Sequence, residues 1–185
     1  MLRLDLKAGR LTALALSSDG QILATGAGIN DSLIKLWDVK TGSLKANLDG
    51  HRAYLLDFAF SLDGRWLASA SADQTIQLWD WENAQSVATL RGCADEVWAV
   101  AFAPDGRRLA TGSTGREAVR IWDVETQMEM ITLEGEGAAF QNTVFSPDGN
   151  WLISLSNQGL LHLWRAPSWA EIEAAEAAGK KREER

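Results

Sequence analysis

Three residues have side chains that commonly bind metals or serve in nucleophilic catalysis: His51, Cys93 and His162. A zinc site needs three or four such ligands in one place, and these three residues stand at unrelated positions of the chain. Cys93 has no histidine placed to activate it as a nucleophile. His51 could be a metal ligand, a general base or a structural residue, and the absence of further ligands favours the structural role.

Two glycine-rich segments could in principle bind a phosphate group. In Gly26-Ala27-Gly28 the third glycine of a dinucleotide loop is replaced by Asp31, and the segment lies between two strands instead of opening a helix. Gly112-Ser113-Thr114-Gly115 lacks the spacing and the lysine of a phosphate-binding loop. The sequence therefore predicts no cofactor, no metal site and no catalytic site, which means a protein that is not an enzyme.

Charge and composition exclude further classes of function. The net charge of -7 and the pI near 4.9 argue against a chain that neutralises phosphates, so we expect no nucleic-acid partner. No apolar run approaches the roughly 18 residues that a membrane span requires. The single Cys93 cannot form an internal disulfide, and charged residues interrupt Met1–Lys7, where a secretion signal would be apolar. A cytoplasmic protein without membrane contact is predicted.

The secondary-structure elements that carry these residues are predicted from a sequence repeat. Four tryptophans recur at spacings of 42, 43 and 42 residues, and Asp-Gly pairs recur with nearly the same period. The tryptophans are Trp37, Trp79, Trp122 and Trp164, and the pairs begin at Asp19, Asp63, Asp105 and Asp148. Each Asp-Gly pair lies between two apolar stretches and predicts a hairpin turn.

Each repeat contains several short strands. Val97–Phe102 precedes a turn, Trp66–Ser71 follows one, and a third strand ends at each periodic tryptophan, as in Ile76–Trp79. Alternating apolar and polar residues with many β-branched side chains indicate strands and not helices. Weaker fourth strands are predicted at 43–48, 86–90 and 128–133.

The repeated Trp-Asp pairs (Trp37-Asp38, Trp79-Asp80 and Trp122-Asp123), Gly50-His51 and the periodic turns resemble the WD-repeat family, and the ending of the chain resembles bacterial members. The resemblance implies an all-β WD-repeat β-propeller of four four-stranded antiparallel blades with a short C-terminal helix. Residues 1–165 would form the propeller domain, and 166–185 the helix and a charged tail.

The family resemblance also implies a buried hydrogen-bonded tetrad in each blade, made by histidine, serine or threonine, aspartate and tryptophan. Only the second repeat has the full set, with His51, Ser69 or Ser71, Asp73 and Trp79. Elsewhere Lys7, Cys93 and Glu136 replace the histidine, and Arg116 and Gln158 replace the aspartate in the third and fourth repeats. We expect these incomplete blades to be less rigid, because a buried indole without its acceptor network is costly.

Both ends of the repeat region bear on closure of the propeller. Ser168 and Glu171 form a capping-box pattern, so a helix bearing Trp169 and Ile172 is predicted after Pro167. Leu2–Leu6 is predicted to be an extra strand that completes a last blade. Three arrangements are open: part of a longer propeller, a head-to-tail homodimer closing an eight-bladed ring through Leu2–Leu6, or a four-bladed monomer.

The predicted function is a non-catalytic scaffold that presents a propeller surface to protein partners of unknown identity. The alternative is a regulatory or targeting propeller segment of a larger bacterial signalling enzyme, such as a Ser/Thr protein kinase. Family resemblance places the binding face around the start of each first strand, where residue types differ between repeats: Arg10, Thr12, Tyr54, Leu56, Glu96, Trp98 and Gln141. Tyr54 and Trp98 are the aromatic candidates for anchoring a partner, although Trp98 could equally pack between blades.

Overall fold

The computed structural model describes residues 10–27, 32–115, 119–136 and 139–165. These residues form fifteen strands in four antiparallel sheets, called blades 1 to 4 in chain order. Blade 1 contains β1 (Leu11–Leu16), β2 (Ile22–Ala27), β3 (Ile34–Asp38) and β4 (Leu44–Leu48). Blade 2 contains β5 (Leu55–Phe60), β6 (Trp66–Ser71), β7 (Ile76–Asp80) and β8 (Gln85–Leu90).

Blade 3 contains β9 (Val97–Phe102), β10 (Arg108–Ser113), β11 (Val119–Asp123) and β12 (Glu129–Leu133). Blade 4 contains β13 (Phe140–Phe145), β14 (Trp151–Ser156) and β15 (Leu161–Arg165). Blade 4 has three strands within the described residues, as expected from fourth strands that were predicted only in the first three repeats. The predicted strand Leu2–Leu6 and the predicted C-terminal helix lie outside those residues.

The Asp-Gly turns join the first strand of each blade to the second. In blade 2, Ser61 donates to the Asp63 carboxylate at 2.5 Å, and the same carboxylate accepts the Arg65 N–H at 3.0 Å. Gly64 follows with a φ of +76°, a left-handed conformation that a side chain would disfavour. The turn chemistry predicted from the sequence is confirmed, and it holds adjacent strands in register.

Three apolar cores join successive blades. One lies between blades 1 and 2 and includes Leu36 and Leu67, the next lies between blades 2 and 3 and includes Ile76 and Val100, and the third lies between blades 3 and 4 around Phe140. The first strands of neighbouring blades, β1, β5, β9 and β13, pack next to one another in that order. All-β sheets stacked face to face in this way are typical of propeller blades.

Candidate functional site

Blade 2 contains the complete tetrad. His51 Nδ1 lies 2.9 Å from Asp73 Oδ2, and His51 Nε2 lies 2.7 Å from Ser69 Oγ. The Trp79 indole N–H donates to Ser69 Oγ at 2.8 Å. The sequence left Ser69 and Ser71 open, and the structure selects Ser69. The Ser71 hydroxyl oxygen instead accepts the Asp73 N–H at 3.1 Å.

Asp73 carries the negative charge of this network. Burial disfavours its ionised form, but His51, Thr75 and the Arg52 N–H all donate to the carboxylate, and together they hold its pKa well below the usual range. Because a carboxylate can only accept, a neutral His51 ring must carry its proton on Nδ1. The Ser69 hydroxyl then donates to His51 Nε2 and its oxygen accepts the Trp79 indole N–H, so each donor in this hydrogen-bonded network has one acceptor.

Ser69, His51 and Asp73 are connected in the order of a serine nucleophile, a base and an orienting acid. A nucleophile must reach a substrate, and Ser69 has 0% of its surface exposed while its oxygen already accepts the Trp79 indole. His51 is buried as well. These groups therefore lie inside the blade, where a substrate has no access to Ser69, and the structural role of His51 stays a prediction.

Blades 1 and 3 retain half of the tetrad. The Trp37 indole donates to Thr25 Oγ1 at 2.8 Å, and the Trp122 indole donates to Thr111 Oγ1 at 3.1 Å. The expected loss of an acceptor for these indoles is therefore wrong. Cys93 is buried at the histidine position of blade 3, and burial raises the pKa of its thiol. This environment suppresses thiolate chemistry.

Blade 4 uses different contacts at the tetrad positions. The hydroxyl of Ser154, which corresponds to Ser69, donates to the Asn142 carbonyl at 2.8 Å and lies 3.0 Å from Thr143 Oγ1. The Trp164 indole stacks on the His162 ring with 5.3 Å between centroids. His162 Nε2 lies 2.8 Å from the backbone carbonyl of Glu136. An aromatic stack thus replaces the polar network.

The alternation of polar and apolar residues predicts that the polar position of each third strand faces solvent, but in the middle blades this position is buried. Gln77 and Arg120 are buried, and Arg120 Nη1 forms a 2.6 Å ion pair with Glu129. His162 is partly buried next to Phe140. The alternation of polar and apolar residues marks two faces of a strand, but in a stacked sheet both faces are covered.

The residues of the candidate binding face share a backbone feature. Each first strand has a break in register near its start, at which one residue has no partner in the ladder. Those residues are Thr12, Leu56, Trp98 and Gln141. Such β-bulges re-aim side chains and are enriched at functional sites. Because the four first strands pack side by side, the bulges lie at one level on neighbouring blades.

The four bulges on neighbouring first strands are called the arc of bulges, and the residues in and next to this arc differ in exposure. Tyr54, which directly precedes β5, has 50% of its surface exposed, and Arg10, Thr12 and Gln141 are exposed as well. Leu56, Glu96 and Trp98 are partly buried. The Trp98 indole N–H has no hydrogen-bond partner among the described residues. A buried donor left without an acceptor is costly and is a feature that a bound partner could satisfy.

Two hydrogen bonds connect the bulge region across blades. Thr12 Oγ1 donates to the Leu55 carbonyl at 2.6 Å, and the Val100 N–H donates to Asp57 Oδ2 at 2.9 Å. Burial raises the pKa of Asp57 to about 6, against the effect of the N–H groups of Val100 and Phe58. Asp57 was not among the site residues predicted from the sequence. The signal was an acid in a first strand where blades 1 and 3 have Ala13 and Ala99.

The described ranges contain neither a cluster of potential metal ligands nor a helix able to span a membrane. No three His, Cys, Asp or Glu side chains there come close enough together to hold a metal ion. In the same ranges, no helix has the length and apolar character of a membrane span.

The stacked four-stranded sheets, their Trp-Asp endings and the tetrad of blade 2 define a WD-type repeat protein. The family model described as "WD domain, G-beta repeat" matches residues 5–38, 42–80, 84–123 and 129–165. The chain belongs to the WD40 repeat family.

Curated relatives match part of the chain. Pre-mRNA-processing factor 19 homolog 2 of Arabidopsis thaliana is 42% identical over 62 residues, which are 34% of this chain and 11% of the relative. WD repeat-containing protein SL1-17 of Schistosoma mansoni is 48% identical over 61 residues, 33% of this chain and 19% of the relative. WD repeat and SOCS box-containing protein 1 of Homo sapiens is 47% identical over 58 residues, which are 31% of this chain and 13% of the relative.

The matches thus span between 11% and 19% of the length of these relatives. All three organisms are eukaryotes. The bacterial subtype predicted from the sequence has no support in them.

Proposed function

We propose that this chain is a protein-interaction scaffold whose binding face is the arc of bulges on its four first strands. Membership of the WD40 family supports a scaffold role in general. The arc adds a location: a repeated backbone device presents a different side chain in each blade, namely Thr12, Leu56, Trp98 and Gln141. A repeating core has no need of such variation, whereas recognition of a partner does.

The bulges are the observation that carries this proposal. A residue outside the ladder is free of the cross-strand pairing that fixes its neighbours, so its side chain can be chosen for contact with another molecule. Tyr54 directly precedes the first strand of blade 2, Trp98 lies in the first strand of blade 3, and both supply aromatic groups of the kind that anchors many interfaces. The Trp98 indole N–H is a donor that a partner's acceptor would satisfy.

The proposal is tested by a pull-down with the variant Tyr54→Ala/Trp98→Ala, in which the amount of recovered partner protein is measured. Loss of an aromatic anchor typically costs 2 kcal/mol or more, about thirtyfold in affinity, so recovery should fall sharply. The matched control is Val87→Ala/Met128→Ala, which removes two exposed apolar side chains away from the bulges. Thermal melts verify that both variants fold. Equal recovery with the two folded variants would refute the arc as the binding face.

Several sequence predictions stay predictions at this point. They are the cytoplasmic location, the absence of nucleic-acid and membrane partners, and the homodimeric ring closed through Leu2–Leu6. The alternative function, a propeller segment of a signalling enzyme, is also untested, and none of the relatives named above is a protein kinase by its name.

A further inference from the structure

The outer two strands of blades 2 and 3 pair in the same register, with a break in the ladder just before the periodic tryptophan of each blade. Side chains at three positions of these strands can therefore be compared one by one. In blade 3 they are Arg120, Glu129 and Thr132, and in blade 2 they are Gln77, Ser86 and Thr89.

In blade 3 these positions bind a carboxylate that belongs to the chain itself. Arg120 Nη1 forms an ion pair of 2.6 Å with Glu129 Oε2, and the Thr132 hydroxyl donates to Glu129 Oε1 at 2.5 Å. Hydrogen bonds of this kind, in which one or both partners are charged, are the strong ones in proteins. The backbone of a blade can thus hold a glutamate carboxylate at this level.

In blade 2, Ser86 takes the place of Glu129, and its hydroxyl donates to Gln77 Oε1 at 3.3 Å. Gln77 is only 5% exposed, yet within the described ranges its NH2 group has no hydrogen-bond acceptor. The Thr89 hydroxyl has no partner among those residues either. A buried donor without an acceptor is rare in a folded protein and calls for an explanation.

The two unpaired donors line a pocket of about 130 Å³ that two arginines also reach. Arg52 follows His51, and Arg91 directly follows β8. Both side chains are exposed, and neither guanidinium group is paired with another residue that the structure describes. Blade 3 has Ala94 and Glu134 at these two positions, so the arginines are particular to blade 2. The side chains of this blade 2 pocket are those of Arg52, Asp73, Thr75, Gln77, Thr89 and Arg91.

The charge of the blade 2 pocket favours one kind of anion. Two guanidinium groups and the Asp73 carboxylate leave a net of one positive charge in its lining. Asp73 already accepts from His51, Thr75 and the Arg52 N–H, so its charge is held in place at the edge of the pocket. Asp73 repels a divalent phosphate more strongly than a monovalent carboxylate. A carboxylate is therefore the better match, as in blade 3.

We propose that the blade 2 pocket binds a glutamate side chain of another polypeptide, whose carboxylate takes the position that Glu129 holds in blade 3. Gln77 and Thr89 donate to this carboxylate, and the two arginines neutralise its charge. The pocket belongs to the outer strands and flanking loops of blade 2, so this site does not depend on the arc of bulges.

Binding is measured by titrating the peptide acetyl-Gly-Glu-Gly-amide into the ¹⁵N-labelled full chain. The side-chain NH2 signals of Gln77 and the backbone N–H signal of Arg52 should shift in a saturable manner. The uncharged peptide acetyl-Gly-Gln-Gly-amide should bind at least about tenfold more weakly, because it lacks the charge that strengthens these hydrogen bonds. Equal binding of the two peptides would overturn the proposal.

Two further ligands distinguish the source of the anion. Acetyl-Gly-Gln-Gly with a free C-terminus offers a terminal carboxylate without an acidic side chain, and inorganic phosphate offers a divalent anion. Both should bind more weakly than the glutamate peptide. Tighter binding of either would contradict the assignment of the pocket to a glutamate side chain.

Ser86→Glu supplies the carboxylate from within the chain, as Glu129 does in blade 3, so it should abolish binding of the glutamate peptide. The matched control is Val87→Glu, which adds the same charge at the next residue. Val87 is exposed and lines a different depression of the surface, so its affinity should stay within about twofold of the unmodified chain. Equal peptide affinity of the two folded variants would refute the proposal.

Arg91→Gln tests the pocket without changing a buried group, and it decides the question if Ser86→Glu does not fold. Loss of this charged donor should weaken binding of the glutamate peptide about tenfold or more. Lys40→Gln removes the same charge from an exposed position in the turn between β3 and β4 and should leave the affinity unchanged. If Arg91→Gln binds the peptide as tightly as Lys40→Gln does, the pocket is not the binding site.

Discussion

Blades 2 and 4 are built from the same repeat and differ in how they are stabilised. Blade 2 has four strands, packs on a neighbour on each side and contains the His51–Ser69–Trp79 network with the Asp73 charge. Among the described residues, blade 4 has three strands, packs on blade 3 alone and replaces the network with the stack of His162 on Trp164. The common backbone shows that the repeated turns and strands suffice for the blade, and the polar network adds stability to a blade enclosed on both faces.

The first expected difference between the two blades concerns the aspartate position. Asp73→Ala removes the acceptor for His51 Nδ1 and for the Arg52 N–H, so a buried donor loses its partner. We expect a loss of about 2–4 kcal/mol in the free energy of unfolding. The equivalent change in blade 4, Gln158→Ala, affects an exposed side chain and should stay within about 0.5 kcal/mol. Urea denaturation followed by tryptophan fluorescence measures both.

The pH dependence of the same variant checks the cause. The pKa of Asp73 is lower in the folded protein than its ordinary value of 3.8, so its stabilising contribution is complete above that value and is lost as the pH falls further. The difference between the unmodified chain and Asp73→Ala should therefore shrink in acid. Equal losses for Asp73→Ala and Gln158→Ala would show that the tetrad does not distinguish the blades.

The strands were predicted from local sequence patterns and the tetrad from the resemblance to the WD-repeat family, but burial was predicted wrongly where packing between blades decides it. The span Val97–Phe102 and the turn at Asp63-Gly64 follow from periodicity and turn chemistry, and both are present. Burial of Gln77 could not be predicted from alternation, because a polar residue was assumed to face solvent. Ser69 and Ser71 lie on the same face of β6, so the choice between them depends on which level of the strand lies opposite His51.

A second, smaller difference concerns Asp57, whose counterpart in blade 4 is Asn142. The pKa of Asp57 is raised from 3.8 to about 6, so the folded protein holds its proton more tightly than the unfolded chain. The free energy of unfolding should therefore decrease as the pH rises from about 4 to 6, by on the order of 1–3 kcal/mol. Asp57→Asn keeps an oxygen acceptor for the Val100 N–H and should abolish this decrease.

Blade 4 supplies the control for Asp57. Asn142 is exposed, so Asn142→Asp introduces a carboxylate at the same register without the burial that disfavours its charge. Thermal melts between pH 4 and 7 should show no added dependence for this variant. A pH profile of Asp57→Asn that matches the unmodified chain would mean that the cross-blade bond to Val100 does not depend on the charge of Asp57.

The smallest expected effect is at Leu161, and it measures whether the face of blade 4 that carries Leu161 is open to solvent. Ile76, the equivalent residue of blade 2, is fully buried against blade 3, and Leu161 is 60% exposed. Leu161→Gln should change the free energy of unfolding by no more than about 0.5 kcal/mol, as is usual for surface substitutions. Ile76→Gln should cost more than about 3 kcal/mol, because an amide is buried without a partner and apolar packing is lost. Both variants are measured by urea denaturation of the full 185-residue chain.

A large loss at Leu161 would mean that something covers this face in solution, since an exposed leucine contributes little to folding. In that case the contrast between blades 2 and 4 would rest on the polar network alone and not on the number of packed faces.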